Sequence, residues 1–279
     1  MIRSVIFGAG GTGINVYNKI KDTTSVLCFV DNDGAKWGQK QEGIEIRNPD
    51  FLRKRDEYDV IYLGTLMGHD EVKIQIAAMG IPSTTLEKSY VERSVQARTN
   101  FLFSHSKDIH DRRIPGSVAE CGVYRGDFAK EINRAFPDRT CHLFDTFEGF
   151  DERDYEFEEF KSETQNIEHL KSTSIEMVIG KMPYPDKVII HPGYFPDTLG
   201  DLDENFCFVN LDMDLYKPTL EGLRFFYPRM SESGVILVHD YFSKLFPNVQ
   251  KAIDDYEKEI GERLIKKPIG DDISIAIVK

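Results

Sequence analysis

The stretch Ser117-Val-Ala-Glu-Cys-Gly-Val-Tyr-Arg-Gly-Asp127 decides the predicted fold of this chain. It starts with the apolar residues of a β-strand, passes Glu120, turns at Gly122 and Gly126, and continues into a helical pattern. A strand, a glycine turn and a helix in this order form the first unit of a nucleotide-binding α/β sheet. Because glycine lets the backbone approach a ligand and a helix N-terminus offers free N–H groups, we expect a ligand site at this turn.

The turn differs from the dinucleotide-binding pattern in the spacing of its glycines and in the acidic residue that precedes it. A cofactor with a cationic sulfonium and an amino-acid tail suits such a turn better than a pyrophosphate does. Asp145 ends the next apolar run, where an acid accepts hydrogen bonds from ribose hydroxyls in sheets of this type. The alternative is an ordinary β-α-β unit whose acids cap helices.

Composition restricts the classes of function. The formal net charge of −12 argues against a nucleic-acid partner and against an anionic membrane surface, since both need clustered Lys and Arg. No apolar run approaches the roughly 20 residues of a membrane span, and no signal peptide is evident. The four cysteines lie in or beside apolar runs without a C-x-x-C pair, which predicts reduced, buried thiols in a cytoplasmic protein: Cys28, Cys121, Cys141 and Cys207.

A second glycine motif lies near the N-terminus. Gly8, Gly10 and Gly13 fit G-x-G-x-x-G between a strand and a helix, and Asp31 ends the next strand, near the spacing at which an acid meets a ribose. This part resembles the N-terminal Rossmann-like domain of bacterial sugar acyltransferases and polysaccharide-biosynthesis proteins, on Phe7–Gly13, the Phe29-Val-Asp-Asn-Asp run and Lys36-Trp-Gly. Such a turn can bind a nucleotide, a nucleotide-sugar or nothing.

These patterns predict three parts of the chain. Residues 1–85 form a Rossmann-like nucleotide-binding domain, 86–114 a helical linker or lid, and 115–279 the domain of the central glycine turn. An acidic, aromatic insert at 151–161 is either a mobile lid or a solvated loop.

Acidic residues and a histidine follow two buried strands of the second domain. Asp212 and Asp214 come after the apolar run 206–211, and His239 and Asp240 come after the run 235–238. Ligands bind at the carboxyl ends of such strands, and strands of this kind are commonly neighbours. Carboxylates with one imidazole suit a hard divalent cation such as Mg²⁺ or Mn²⁺. The alternative is that Asp212 and Asp240 cap the segments that follow.

Five ordered motifs carry a further resemblance. Residues 116–279 resemble the macrocin O-methyltransferase family of S-adenosylmethionine-dependent sugar methyltransferases, on these stretches: Glu120-Cys-Gly-Val-Tyr-Arg-Gly126, Phe144-Asp-Thr-Phe-Glu-Gly149, Gly193-Tyr-Phe-Pro-Asp-Thr-Leu199, Asp212-Met-Asp-Leu-Tyr216 and His239-Asp-Tyr241. The resemblance implies a class I methyltransferase fold preceded by the smaller Rossmann-like α/β domain.

The resemblance also implies the residues of the site. Adenosylmethionine would contact the turn and the next strand tip through Glu120, Gly122, Tyr124, Arg125, Gly126, Asp145 and Thr146. Mg²⁺ or Mn²⁺ would be held by Asp212, His239 and Asp240, with Asp212 and His239 as the catalytic pair. Characterised members have Asp-Asp where this chain has His239-Asp240, so the ring is either a ligand or a base.

Three hypotheses about function remain open at this point. The first is a metal-dependent O-methyltransferase that acts on a sugar hydroxyl of a saccharide or nucleotide-sugar, in a polysaccharide, glycan or natural-product pathway. The second is an NAD(P)-dependent oxidoreductase or epimerase-like enzyme that uses Gly8, Gly10, Gly13 and Asp31. The third is a non-catalytic protein that binds nucleotide-sugars. We also expect a homo-oligomer.

Overall fold

The computed structural model describes residues 1–66, 68–158 and 168–279. The end of the insert predicted at 151–161 therefore lies outside the described residues. The chain divides into two compact units, Met1–Gln96 and Ala97–Lys279. The division falls inside one long helix, which occupies most of the stretch assigned above to the linker.

The first unit contains one twisted, mainly parallel sheet. Its strand order is β3-β4-β2-β1-β5-β6, and only the β3–β4 pair is antiparallel. The apolar runs of β1 and β5 are buried because helices cover the sheet. The elements in chain order are β1 (Ile2–Phe7), α1 (Gly11–Ile20), β2 (Thr24–Val30), β3 (Lys40–Gln41), β4 (Ile44–Arg47), β5 (Val60–Leu63), α2 (His69–Ala78), β6 (Leu86–Glu87) and the start of α3 (Ser89–Asp111).

The second unit contains a sheet of seven strands in the order β12-β13-β11-β10-β7-β8-β9. The chain starts at the centre of this sheet and moves outward in both directions, so the order reverses between β7 and β10. Its elements are β7 (Ser117–Cys121), α4 (Asp127–Ala135), β8 (Cys141–Asp145), α5 (Ile175–Ile179), β9 (Val188–Pro192), β10 (Phe206–Leu211), α6 (Tyr216–Phe226), β11 (Met230–Val238), α7 (Asn248–Ile260), β12 (Ile265–Pro268) and β13 (Ile275–Val278).

The core of this unit lies on both faces of β10, which is buried along its whole length. One face packs against α6 and α7, and the other packs against α3, α4 and α5. A strand covered on both faces needs apolar residues throughout, which explains the continuous run of the sequence. Asn210 is the polar exception: it is fully buried, so its side chain must find partners inside the protein.

Two antiparallel strands close the second sheet at one edge. The antiparallel pair β12–β13 ends the sheet, with β13 placed antiparallel beside β11. All four cysteines are buried, as predicted. None of the described helices is both long and apolar enough to cross a bilayer.

Candidate active site

The central glycine turn is in direct backbone contact with the end of β10. Gly122 has a φ of +83°, and a Cβ atom there would lie 2.0 Å from the carbonyl oxygen of Asp212. Gly126 has a φ of +77° and immediately precedes α4. Both positions favour glycine because of their positive φ, and Gly122 also lacks space for a Cβ atom. The turn is therefore fixed directly beside the first residue after β10.

Asp145 holds this turn through its backbone. Oδ2 of Asp145 accepts hydrogen bonds from the N–H groups of Val123 (2.7 Å) and Tyr124 (2.8 Å), and Oδ1 accepts one from Phe147 (2.7 Å). A carboxylate has about four acceptor positions, so capacity remains for ribose hydroxyls. The predicted ribose acceptor is thus also a structural part of the turn.

Glu120 is a buried acid with one unsatisfied oxygen. Its side chain is 2% exposed, and Oε1 accepts a hydrogen bond from Asn210 Nδ2 at 2.8 Å. Oε2 is buried and has no hydrogen-bond partner among the described residues. Burial raises the pKa of Glu120 to about 8, with Arg98 opposing the rise. A buried oxygen without a partner, at the foot of a glycine turn, is what a cationic ligand group would complete.

The other predicted cofactor residues of this turn contact neighbouring loops. Arg125 donates to the hydroxyl and the carbonyl of Ser172, at 2.7 Å and 3.0 Å. The carbonyl of Tyr124 accepts a hydrogen bond from Thr173. Thr146 accepts from the N–H of Glu148 and donates to a carbonyl in its own turn. These contacts connect the glycine turn to the loops around it.

The four polar residues at the ends of β10 and β11 meet in one cluster. The two strands are parallel neighbours, as predicted, with Leu211 opposite Val238. One ligand atom from each of four residues lies within 4.8 Å of every other: Asp212, Asp214, His239 and Asp240. A divalent cation with bonds of about 2.1 Å needs donor atoms roughly 3 to 4 Å apart. The donor types of these residues suit such an ion, which would replace the 2.5 Å hydrogen bond that now joins His239 to Asp240.

Inside the cluster, His239 stands between two carboxylates. Its Nδ1 atom lies 3.0 Å from Oδ1 of Asp212 and 2.5 Å from Oδ2 of Asp240. Asp214 and Asp240 both have left-handed backbones, with φ of +62° and +58°. Such a conformation is uncommon outside glycine and concentrates at functional sites.

Burial and mutual charge set the protonation of this cluster. Burial disfavours the charged form of Asp212, but His239 and Arg98 outweigh it and hold the pKa of Asp212 below its usual range. Burial, with repulsion from Asp240 and Asp212, raises the pKa of Asp214 well above its usual range. Burial opposes a charge on His239, but Asp212 and Asp240 raise its pKa well above the usual range.

Arg98 is a member of the site that sequence reasoning missed. One guanidinium nitrogen, Nη2, donates to Oδ2 of Asp212 at 2.8 Å and to Oδ1 of Asn210 at 3.1 Å. The guanidinium stacks 3.8 Å from the ring centre of Phe128. A continuous hydrogen-bonded path thus leads from Glu120 through Asn210 and Arg98 to Asp212. The buried Asn210 inside an apolar strand was the signal in the sequence that could have predicted an internal polar partner.

The N-terminal glycines are placed around a second strand end. A Cβ atom at Gly8, whose φ is +110°, would lie 2.5 Å from the carbonyl oxygen of Gly64. A Cβ atom at Gly13 would lie 2.0 Å from the carbonyl oxygen of Gly8. At Gly10 a Cβ atom would meet no described atom within 4 Å. Backbone packing thus requires Gly8 and Gly13 but not Gly10.

Asp31 supports that N-terminal turn in the same way as Asp145 supports the central one. Its Oδ2 atom accepts a hydrogen bond from the N–H of Ala9 at 2.8 Å and pairs with Lys36 Nζ at 3.1 Å. Its Oδ1 atom accepts from the N–H of Asp33 at 2.9 Å. The described residues contain no second group of three or more His, Cys, Asp or Glu side chains close enough together to hold a metal ion.

Comparison with known proteins identifies the family. Residues 93–276 match the macrocin O-methyltransferase family, and this range covers most of the chain and the whole of the site described above. The chain belongs to the macrocin O-methyltransferase family. Residues 1–86 match a separate family, described as C2185-like, N-terminal.

Individual relatives are also O-methyltransferases by name. Mycinamicin III 3″-O-methyltransferase of Micromonospora griseorubida is 27% identical over 162 residues, which cover 53% of this chain and 63% of the relative. An 8-demethyl-8-(2,3-dimethoxy-α-L-rhamnosyl)-tetracenomycin-C 4′-O-methyltransferase of Streptomyces olivaceus is 30% identical over 170 residues, which cover 57% of this chain and 63% of the relative. The chain thus spans somewhat less than two thirds of the length of these relatives.

A solved structure gives the fold. The O-methyltransferase NovP superposes with a TM-score of 0.56 at 25% identity, over 66% of this chain and 79% of that one. The second unit of this member of the macrocin O-methyltransferase family therefore has the class I S-adenosylmethionine methyltransferase fold, as the sequence predicted.

Proposed function

We propose that this chain transfers a methyl group from S-adenosylmethionine to a sugar hydroxyl, at a site that also holds a divalent cation. The observation that carries the proposal is the contact between the two halves of the site. The cofactor turn touches the first residue of the cation cluster through the backbones of Gly122 and Asp212. A donor at the turn and an acceptor at the cluster would therefore lie side by side, as in-line transfer requires.

On the donor side, the residues offer opposite charge and hydrogen-bond acceptors. The unsatisfied oxygen of Glu120 is the natural partner of the cofactor ammonium group. The remaining acceptor capacity of Asp145 suits the ribose hydroxyls. Family membership and the fold support S-adenosylmethionine as the ligand of this turn.

On the acceptor side, Asp212, His239 and Asp240 would hold the cation, with Asp214 completing the set. When bound, such an ion supplies positive charge that acidifies a hydroxyl placed against it. Arg98 keeps Asp212 ionised and oriented toward the cluster. As the hydroxyl oxygen attacks the methyl carbon and the carbon–sulfur bond breaks, the hydroxyl proton must pass to a nearby group. A carboxylate oxygen or ring nitrogen of the cluster that the cation leaves unbound and unprotonated would accept it, and the proton would then pass to solvent.

A saccharide acceptor is proposed from the relatives. The name of one relative contains a rhamnosyl group and places the methyl transfer at an oxygen numbered 4′. The names of two others refer to mycinamicin and to a novobiocin derivative. We therefore propose a sugar carried on a nucleotide, glycan or small molecule.

The test uses the full chain with S-adenosylmethionine, Mg²⁺ or Mn²⁺, and a panel of free sugars, nucleotide-sugars and glycosides. We expect one acceptor class to gain a single methyl group in mass spectrometry, with S-adenosylhomocysteine as the second product. Calorimetry with S-adenosylmethionine alone is run in parallel. Absence of cofactor binding there would reject the donor half of the proposal, whatever the acceptor panel contains.

A further inference from the structure

The cation cluster contains one nitrogen donor among carboxylates, and its placement leads to a prediction about which ion it takes. We propose that His239 is a direct ligand that makes this site prefer transition-metal dications, such as Mn²⁺, Fe²⁺, Co²⁺ or Zn²⁺, over Mg²⁺ and Ca²⁺. This inference rests on the proposed function only in that the cluster binds a cation at all. It goes further by assigning the class of cation and the residue that selects it.

The first step is the direction of the ring. Nδ1 of His239 is the atom that enters the cluster, at 3.0 Å from Oδ1 of Asp212 and 2.5 Å from Oδ2 of Asp240. These are the distances of hydrogen bonds from the ring N–H to the two carboxylates, and a cation bound among these atoms would replace that proton. The ring nitrogen thus faces the carboxylate oxygens that would share an ion with it.

The second step is the backbone that brings two consecutive side chains to one point. Successive residues of a strand point to opposite faces, so His239 and Asp240 would diverge if β11 simply continued. The N–H of His239 still bonds to the carbonyl of Leu211 at 2.9 Å, which fixes it to the end of β10. Asp240 then adopts a φ of +58°, and both side chains converge on the cluster. This uncommon backbone conformation places the imidazole of His239 beside the carboxylates of the cluster.

The third step is the chemistry of the donor set. Mg²⁺ and Ca²⁺ prefer oxygen ligands, whereas imidazole binds well to the later first-row dications. An imidazole at position 239, in place of a carboxylate, also removes one negative charge from the site. This loss weakens the binding of hard ions more than the binding of ions that bond to nitrogen. Because three carboxylates remain as ligands, Mn²⁺ should also bind. The preference over Mg²⁺ and Ca²⁺ should therefore extend across the transition-metal series.

The experiment measures metal binding directly, without turnover. The metal-stripped full chain is titrated separately with Mn²⁺ and Mg²⁺ by calorimetry, as wild type and as His239→Asp. We expect the ratio of Mn²⁺ to Mg²⁺ affinity to be at least tenfold higher in the wild type. Pulsed electron paramagnetic resonance of bound Mn²⁺ should show coupling to a directly bonded nitrogen in the wild type and none in His239→Asp.

Control variants separate the possible outcomes. His239→Asn serves as a second variant in case His239→Asp does not fold, and His69→Gln, in the first unit, controls for imidazole binding elsewhere. An unchanged affinity ratio, or no nitrogen coupling in the wild type, would overturn this inference and leave the proposed cation site intact. A wild type that binds neither ion would overturn the inference together with the cation half of the proposed function.

Discussion

The two glycine turns of this chain occupy the same place, between a strand and a helix, but differ in what surrounds them. In each, an acid at the end of the next strand accepts hydrogen bonds from the N–H groups of the turn, Asp31 in the first unit and Asp145 in the second. Within the described residues, only the second turn adjoins a buried acid with an unsatisfied oxygen, Glu120, and a four-residue cluster of ligand atoms. A glycine motif thus indicates close backbone packing at a turn. Whether the turn belongs to a ligand site is indicated by the polar side chains at the neighbouring strand ends.

The largest effect is expected at the cluster. Asp212→Asn should lower methyl transfer on the order of 1000-fold, because the acceptor hydroxyl would lose several kcal/mol of stabilisation from its cation. S-Adenosylmethionine binding, measured by calorimetry, should persist. Chelation by EDTA should reproduce the loss in the wild type, and added metal should reverse it. Asp203→Asn, at a side chain that is 90% exposed, is the matched control. Full activity after exhaustive chelation would show that the proton leaves without help from a cation.

The glycines themselves should separate packing from ligand binding. Gly122→Ala and Gly13→Ala each introduce a Cβ atom 2.0 Å from a carbonyl oxygen, so each should destabilise its own unit by about 3 kcal/mol. Gly10→Ala, where the space is open, should change stability by less than about 1 kcal/mol. Denaturant unfolding of the full chain measures all three. Equal losses at Gly10 and Gly13 would contradict the packing explanation of the N-terminal motif.

Variants of the two acids that hold the glycine turns, Asp145 and Asp31, test which turn binds the methyl donor. Asp145→Asn should weaken S-adenosylmethionine binding about tenfold or more, since charge-assisted hydrogen bonds contribute roughly 1.5–3 kcal/mol. Asp31→Asn should leave that affinity unchanged. Calorimetry compares the two variants, and unfolding curves check that each still folds. A loss of affinity in Asp31→Asn alone would place the donor in the first unit.

The smallest effect is expected from a change of one pH unit near neutrality. Burial raises the pKa of Glu120 to about 8, so this carboxyl is neutral in the free protein below that pH. If the cofactor ammonium pairs with its ionised form, binding must release a proton. Affinity should then rise with pH, by up to about tenfold per unit, and level off above pH 8. Calorimetry at several pH values measures this slope. Glu120→Gln should bind more weakly and without the slope, whereas the same slope in the variant would assign it to another group.

Much of the second unit could be predicted from local patterns, because apolar runs that end in polar residues mark buried parallel strands. The runs 206–211 and 235–238 predicted the neighbouring strands that bring Asp212 and Asp240 together. The same kind of pattern predicts two boundaries wrongly. The pattern after Pro218 predicts a helix to about Met230, but α6 ends at Phe226 because Pro228 disfavours a continued helix, and β11 begins at Met230. The residues 81–85 predict a strand, but the strand β6 begins only at Leu86, after a short 3₁₀ turn.

Arg98 could not be predicted in the same way, because no local pattern connects it to its partners. It precedes Asp212 by 114 residues in the sequence and reaches it only through the packing of α3 on the sheet. The double role of Asp145 was equally hidden, since its bonds to the turn depend on backbone N–H groups that the sequence does not display.

The contact between Gly122 and Asp212 has a consequence for how such enzymes diversify. Because backbone atoms alone make it, exchanging exposed loops elsewhere in the unit leaves the separation between donor turn and cation cluster unchanged. New acceptors can then be accommodated by loop replacement without re-optimising the reacting geometry. In protein engineering, loop grafts from relatives should therefore change acceptor range while retaining methyl-donor affinity.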